Sequence, residues 1–427
     1  MSGGDNTRQW SAVTTRRLPR SAELRELLKP RRLPLSPIER RLARALTIPD
    51  LRAIARRRTP RAVFDYTDGA AEGELSLLRA RQAFADVEFQ PDVLRDVANV
   101  DLGVELLGRR SELPFAFAPT GFTRMMGHEG ERAVVRVADR AGIPFGLSTM
   151  GTTSIEEVAA AAPRARKWFQ LYVWKDRAAG KDLVLRAAEQ GYEAVILTVD
   201  TPVAGARLRD VRNGLTIPPA LTLRTFVDGA MHPAWWFNLL TTEPLAFASL
   251  RHWGGTVAEL IDDIFDPTLS LEHLTWLREL WEGPLLIKGV QNVDDARMVV
   301  EHGANGVILS NHGGRQLDRA APPLGVLPKV VDAIGDRAEV YLDTGILNGG
   351  DIVAAMAHGA TGTLVGRAYL YGLMAGGERG VQRAVDILTA EITRTMRLLG
   401  VRSFAELTPG HVKLPASLRG ERPRADS

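Results

Sequence analysis

The densest group of reactive side chains in this sequence is the run SNHGGRQLD at 310–318. It places a histidine and an arginine three residues apart with two glycines between them. His312 has the side chain that gains and loses a proton near neutral pH, and Arg315 can hold an anion in the same pocket. The glycines let backbone come close to a ligand. The other seven histidines lack comparable company, and His128 begins HEGER rather than the zinc-protease pattern HExxH. Lys288 is the second reactive group. It is one of only seven lysines, and it closes the apolar run PLLIKG at 284–289. An ammonium group there is costly to desolvate unless an anion lies beside it. The plainer alternative is a lysine whose stem snorkels past a rim.

These groups need a scaffold, and the chain supplies a repeating one. Short apolar runs recur as PFAFAP (114–119), PFGLS (144–148), KWFQLYV (167–173) and AVILTVD (194–200). Four more follow as PLLIKG, GVILSN (306–311), EVYLD (339–343) and GTLVG (362–366). Amphipathic stretches of helical length lie between most of them, such as Glu129–Ala141, Asp176–Gln190, Val293–His302 and Gly350–His358. Eight such strands alternating with helices predict an α/β fold, a (β/α)8 TIM barrel. A doubly wound open sheet is the runner-up, but GxGxxG after the first strand is absent, as is the P-loop pattern. The expected organisation is a basic N-terminal extension over 1–47 and a barrel unit over 48–400, followed by a tail over 401–427. The barrel unit begins with an N-terminal helical extension, from helical periodicity at Ile48–Arg57 and Ala62–Thr67. More than eighty residues separate Asp200 from Pro284, so a long insertion, about 208–283, follows the fourth strand. That is far beyond an ordinary βα connection.

In a barrel, chemistry gathers where the strands end. These ends carry Pro119-Thr120-Gly121, Ser148, Gln170 with Tyr172, and Thr198 with Asp200. The second half supplies Lys288, Ser310-Asn311-His312, Asp343 and Gly366-Arg367. All eight ends present polar groups or a glycine turn, which predicts a large polar ligand over the barrel mouth. Arg367 follows the eighth strand, where barrels commonly bind phosphate. With Lys288, it points to a phosphorylated cofactor with an anionic ring system.

Composition narrows the field further. The chain has 427 residues, 45% hydrophobic and 25% charged, with a mean hydropathy of −0.08. A wholly disordered or collagen-like chain is excluded. Cysteine is absent, which removes disulfides, zinc fingers, iron–sulfur clusters and thiol nucleophiles, and no metal ligand set is expected. No apolar run approaches the roughly 18 residues of a spanning helix. The opening MSGGDNTRQWSAVTTRRLPR has no apolar core for a secretory signal, so a cytoplasmic location is expected. Residues 1–60 hold fifteen Lys/Arg against five Asp/Glu, although the whole chain is only +3. A basic arm can meet nucleic acid or anionic lipid, but charge runs are more often solvated extensions. No aromatic residue interleaves with the arginines between Arg16 and Arg58, so no nucleic-acid partner is expected.

With these motifs in place, the chain resembles the FMN-dependent L-2-hydroxy-acid dehydrogenases and oxidases from about Ile48 to Leu399. SNHGGRQ is the most specific element. FDYTDGAAE (64–72), APTG (118–121), LST (147–149), FQLY (169–172) and LTVDTPVAGAR (197–207) come before it in the family's order. LIKG (286–289) also precedes it, and LDTG (342–345) and VGRA (365–368) follow. Within that family, the length and the insertion look most like bacterial respiratory L-lactate dehydrogenases, which are quinone- or cytochrome-linked. The resemblance implies FMN as cofactor. Thr120, Ser148, Gln170, Thr198, Lys288 and Ser310 would hold the ring and ribityl chain, with Pro119 and Gly121 backbone near the reactive edge. Asp343, Thr344, Gly345, Ile346 and Leu347 with Gly366 and Arg367 would hold the ribityl tail and phosphate. Tyr66, Tyr172, Arg207 and Arg315 would grip the substrate, with His312 as base and Asp200 stabilising its imidazolium. Lys288 would stabilise charge that develops on the reduced ring.

Three departures matter. Leu347, in DTGILNGGD, stands where the family often has an arginine, which shifts the phosphate's charge onto Arg367. Gly121 stands where many oxidases have alanine, which favours a dehydrogenase. No histidine precedes His128, so no fused haem domain is expected and a separate electron acceptor is. The leading expectation is oxidation of L-lactate to pyruvate with a quinone or cytochrome acceptor, by a homotetramer. An oxygen-reducing 2-hydroxy-acid oxidase is the same-fold alternative, and a redox-silent binding barrel is the rival from another class. The insertion carries WWFNLL (235–240) and PLAFASL (244–250). Residues His232–Leu250 are therefore expected to rest on the inner face of the cell membrane or to dock the acceptor. Packing back onto the barrel, or burial between subunits, is the alternative.

Overall fold

Parallel strands covered on both faces must be apolar along their length. Each of the eight runs forms such a strand in the computed structural model, which describes residues 17–27, 36–214, 228, 230–250 and 265–419. The strands are β1 (Phe115–Thr120), β2 (Phe145–Ser148), β3 (Lys167–Leu171) and β4 (Ala194–Thr198), then β5 (Leu285–Val290), β6 (Gly306–Leu309), β7 (Glu339–Leu342) and β8 (Gly362–Val365). Each pairs in parallel with the next, and β8 pairs with β1 to close the barrel. The expected (β/α)8 architecture is the observed one.

Side chains alternate between two cores. Ala116, Trp168, Ile196, Leu286, Ile308, Tyr341 and Leu364 fill the barrel interior, with the Trp168 and Tyr341 rings edge to face at 5.7 Å. Their neighbours Phe117, Phe169, Val195, Ile287 and Leu309 belong to the larger core outside. A short hairpin, Val104–Leu106 with Arg109–Ser111, was not expected from the sequence. It adds Leu106 to the interior cluster, and Arg166 donates to the Leu106 carbonyl at 2.8 Å. Its turn uses Leu107 and Gly108, both at positive φ, and a leucine gives little warning of that conformation.

The helices that lead into the barrel are α1 (Ile48–Arg58), α2 (Arg61–Asp68) and α3 (Leu75–Ala85). Thr47 caps α1 in a reciprocal box with Asp50, and a proline occupies the first turn. The helices that follow β1, β2 and β3 are α4 (Gly130–Ala141), α5 (Ile155–Ala161) and α6 (Arg177–Glu189). After β4 the insertion contributes α7 (Leu208–Asn213) and α8 (Pro233–Thr241) before α9 (Leu271–Leu280). Positions 215–227, 229 and 251–264 of the insertion lie outside the described residues. The alternation ends with α10 (Val293–Glu301), α11 (Pro323–Ile334), α12 (Gly349–Ala357) and the long α13 (Arg367–Leu399), which bends at Gly376–Gly377. Helix α1 packs along α13. The chain separates after Arg41 into two units. In the first, the helix Ser21–Leu27 carries Glu23, which pairs with Arg17 at 2.7 Å.

Strand register decides which polar ends meet. Ser148 lies opposite Gln170, and Thr198 lies opposite Lys288. The ladder between β5 and β6 shifts between Lys288 and Val290, around Gly289 at φ 106°. A Cβ on Gly289 would stand 2.6 Å from Asp200 Cβ, so the strand passes the acid only because that side chain is missing. Gly289→Ala should destabilise the protein by about 1–3 kcal/mol through overpacking. Thermal unfolding followed by circular dichroism checks this, and an unchanged midpoint would show that the Asp200 loop absorbs the methyl group.

Candidate active site

The strand ends form a buried polar row across the barrel mouth. Ser148 Oγ donates to Gln170 Oε1 at 3.0 Å, and Gln170 Nε2 donates to Thr198 Oγ1 at 2.9 Å. On the next strands round, Lys288 Nζ donates to Ser310 Oγ at 3.3 Å, and Ser310 Oγ donates to Asp343 at 2.7 Å. Lys288 is only 4% exposed and lies 3.5 Å from Asp343, the anionic partner that its burial required. Thr120 Oγ1 sits 2.6 Å from the hydroxyl of Tyr369, which donates to the Ala118 carbonyl. That carbonyl can only accept, so the shorter contact is donated by Thr120, whose lone pairs remain for other partners.

His312 stands beside this row at φ 59°. Its Nδ1 lies 3.0 and 3.2 Å from the two oxygens of Asp200. An ionised carboxylate only accepts, so Nδ1 carries the proton and Nε2 keeps its lone pair. Burial lowers the His312 pKa, and the Lys288 and Arg315 charges add to that against the opposing pull of Asp200. Burial pushes Asp200 up, but His312 and then Lys288 bring its carboxyl net below the usual range. Gln316 completes the support. Its Nε2 donates to the carbonyls of Asp200 and Val203 at 3.0 and 2.8 Å, and its Oε1 accepts from Gly205 N at 3.0 Å. No role was expected for Gln316, although it sits within the most specific motif.

Positive charge collects opposite. The Arg315 guanidinium lies 4.8 Å from the centre of the Tyr66 ring, and that of Arg207 lies 5.8 Å from it. Arg315 donates to the carbonyls of Tyr66 and Gly69. Burial, then the neighbouring charge of Arg207, pulls the Arg315 pKa down to about 10. It stays a cation at neutral pH, in surroundings that favour an anion. Burial and the nearby Asp200 raise the Tyr172 pKa, so its hydroxyl keeps its proton. Asp210, 3.9 Å from Arg207, has its pKa raised by burial, partly offset by Arg315 and Arg207.

One cleft gathers most of the expected residues. Tyr66, Pro119, Thr120, Gly121, Ser148, Tyr172, Arg207, Lys288, His312 and Arg315 line it, as do Asp343–Leu347, Gly366 and Arg367. Gln170, Thr198, Ser310 and Asp200 are not on its wall; Gln170, Ser310 and Asp200 bond to the wall residues Ser148, Lys288 and His312, and Thr198 bonds to Gln170. Arg81, Met150 and Phe265 also line it, and sequence reasoning assigned none of them. The donor set fits FMN. A polar row beside a buried lysine suits the ring, and an arginine at Gly366-Arg367 suits a phosphate. The buried Oγ1 of Thr67, on the cleft wall, has no partner among the described residues, as expected of a group that meets a polar ligand.

Comparison with known proteins agrees with this geometry. The family described as FMN-dependent dehydrogenase matches residues 55–414. A provisionally named L-lactate dehydrogenase of Mycobacterium tuberculosis is 58% identical over 400 residues, covering 94% of this chain and 97% of that protein. The L-lactate dehydrogenase of Caulobacter vibrioides is 42% identical over 365 residues, covering 84% and 95%. Among solved structures, the monotopic membrane protein (S)-mandelate dehydrogenase superposes with a TM-score of 0.84 at 37% identity, covering 87% of this chain and all of that one. A match that spans the barrel and both flanking layers places this chain in the FMN-dependent dehydrogenase family.

Proposed function

We propose that the protein oxidises L-lactate to pyruvate and delivers the electrons to a quinone or another respiratory acceptor. The observation that carries this reading is a neutral histidine base held by Asp200 in the same cleft as a cation pair, Arg207 and Arg315, that flanks Tyr66. Bound FMN supplies the two-electron acceptor. Arginine forks and the Tyr66 and Tyr172 hydroxyls suit a carboxylate next to a hydroxyl and select against uncharged alcohols. Oxidation removes two electrons and two protons from the hydroxy acid. His312 Nε2 takes up one of those protons, and Asp200 stabilises the resulting imidazolium. L-lactate is favoured over larger 2-hydroxy acids by the names of the more similar relatives. Anaerobic bleaching of the flavin by a panel of L-2-hydroxy acids tests the substrate, and failure of L-lactate to bleach it would overturn the reading.

His312→Ala should keep its flavin but reduce it with L-lactate roughly 10²–10⁴-fold more slowly, the range for a lost general base. The base acts when neutral, and its pKa is held below the ordinary value near 6.5. The rate of flavin reduction should therefore climb with pH along a limb below that value and stay level through neutrality. Stopped-flow reduction across pH reads both, and a limb above the ordinary histidine value would contradict the charge environment.

The acceptor is tested separately. A Cβ on Gly121 would stand 3.0 Å from Met150 Cβ, so the space that an alanine would fill is already bounded by Met150. Peroxide yield during aerobic turnover distinguishes an oxygen-reducing enzyme from one that needs a quinone.

Contact with a membrane surface is also proposed. Among the described residues, no helix is long and apolar enough to cross a membrane. The insertion divides in two. Trp235 Nε1 donates to the Met125 carbonyl at 2.9 Å, and Phe247 is buried with its ring 4.6 Å from that of Phe122. Phe237 and Leu240, on α8, are 68% and 74% exposed. Phe237→Ser with Leu240→Ser should reduce sedimentation with anionic vesicles while flavin reduction by L-lactate persists. Unchanged vesicle binding would reject α8 as the contact.

A further inference from the structure

A phosphate monoester carries close to two negative charges at neutral pH. The cleft presents five cationic side chains: Arg81, Arg207, Lys288, Arg315 and Arg367. Lys288 lies against Asp343, while Arg207 and Arg315 flank Tyr66. Arg367 alone is then left for the phosphate among the residues the sequence singled out. The segment Asp343–Leu347 adds little. The Leu347 side chain is apolar, its N–H donates to Asp351 at 2.9 Å, and the N–H of Asp343 donates to the Leu309 carbonyl at 2.9 Å.

Helix α3 is pressed against that segment. Gly345 takes φ 89°, and a Cβ there would stand 3.2 Å from both the Ala80 carbonyl and the Phe84 ring. The next residue on the helix is Arg81. Its Nη1 donates to the Gly345 carbonyl and to Asp351 Oδ2, the latter at 2.7 Å. Asp351 therefore ties the Leu347 N–H and the Arg81 guanidinium to one carboxylate. Both of these Arg81 bonds leave through Nη1, and the side chain is 33% exposed on the cleft wall. A guanidinium has donors on three nitrogens, so Nε and Nη2 can still meet an anion.

We propose that Arg81 binds the terminal phosphate of FMN as a second cation beside Arg367, with Asp351 as the positioning residue that aims it. This rests on the family's cofactor and adds a ligand that comes from outside the barrel. The charge missing at Leu347 is replaced from the helix packed over the same loop. A purely structural ion pair between Arg81 and Asp351 is the competing account, and the two differ in one measurable respect. Phosphate recognition discriminates FMN from riboflavin, whereas scaffold repair does not.

The test titrates the full-length chain, stripped of flavin, with FMN and separately with riboflavin, following flavin fluorescence. The wild-type protein should bind FMN more tightly than riboflavin; binding neither would count against the cofactor reading itself. In Arg81→Met, the Kd for FMN should rise roughly ten- to hundredfold, the range for a lost hydrogen bond to a charged group. The Kd for riboflavin should stay within a factor of two or so. Equal weakening of both ligands, or an unchanged FMN affinity, would overturn the proposal. Removing Arg81 alone leaves the buried Asp351 unpaired, which can cost the fold. The double variant Arg81→Met/Asp351→Asn has no orphaned carboxylate and is read by the same ratio. A collapsed preference for FMN supports the proposal, and a wild-type preference overturns it.

Discussion

The hydrogen bond from His312 Nδ1 to Asp200 governs the rest of the site, because it decides which nitrogen of the ring is a base. Much of the local architecture serves that one contact. The backbone of β5 passes Asp200 only through the missing side chain of Gly289. Gln316 holds the Asp200 and Val203 carbonyls from the other side, so the acid and the histidine belong to two loops joined by a third residue. The His312 backbone N–H donates to Ser310 Oγ at 2.9 Å, which links the base to the row containing Lys288 and Asp343. His312, Asp200, Ser310, Lys288 and Asp343 are thus parts of one hydrogen-bonded assembly.

A second constraint is electrostatic. Like charges placed together at a protein interior repel, and the Arg207 charge adds to burial, the larger cause, in lowering the Arg315 pKa. The cluster is tolerated because backbone carbonyls take up part of the donor capacity. Arg367 donates to the carbonyls of Thr67 and Gly69 at 2.9 and 2.8 Å, and Arg315 donates to those of Tyr66 and Gly69. These carbonyls belong to the last turn of α2 and the residue after it, where the helix dipole is negative.

The eight strands were legible because burial on both faces demands uninterrupted apolar runs, and the polar strand ends stood out against them. His312, Arg315 and Lys288 were legible for the same reason, since each breaks an apolar or glycine-rich context. Arg81 was not. On an amphipathic helix such as α3, an arginine facing a cleft has the same local pattern as one facing water. Tyr369 was hidden differently, as one more aromatic residue in a buried helix, and only its hydroxyl beside Thr120 shows a polar use. The apolar insertion residues were visible as a group, but the sequence had no means of separating Trp235, which packs inward, from Phe237, which does not.

The helices before the barrel explain how these parts are held together. Asp68, at the end of α2, is bound by Arg52 from α1, by Arg209 from α7 and by the Tyr371 hydroxyl from α13. Burial opposes ionisation of that carboxyl, but the Arg52 pairing outweighs it and keeps the group charged. Arg209 also donates to Glu74, just before α3, and Asp318 accepts from the N–H groups of Gly73 and Ser76 at 3.1 and 2.8 Å. The connection from α2 to α3 is therefore pinned at both ends, once to the insertion and once to the loop that carries His312 and Arg315. Because Arg315 already spends donors on the Tyr66 and Gly69 carbonyls, the position of this cation in the cleft is set by the fold itself. Pre-organisation of that kind reduces the ordering that binding would otherwise require. It also makes the helical layer part of the site rather than a cover on it, since shifting α2 would move the acceptors that hold Arg315 and Arg367 in place.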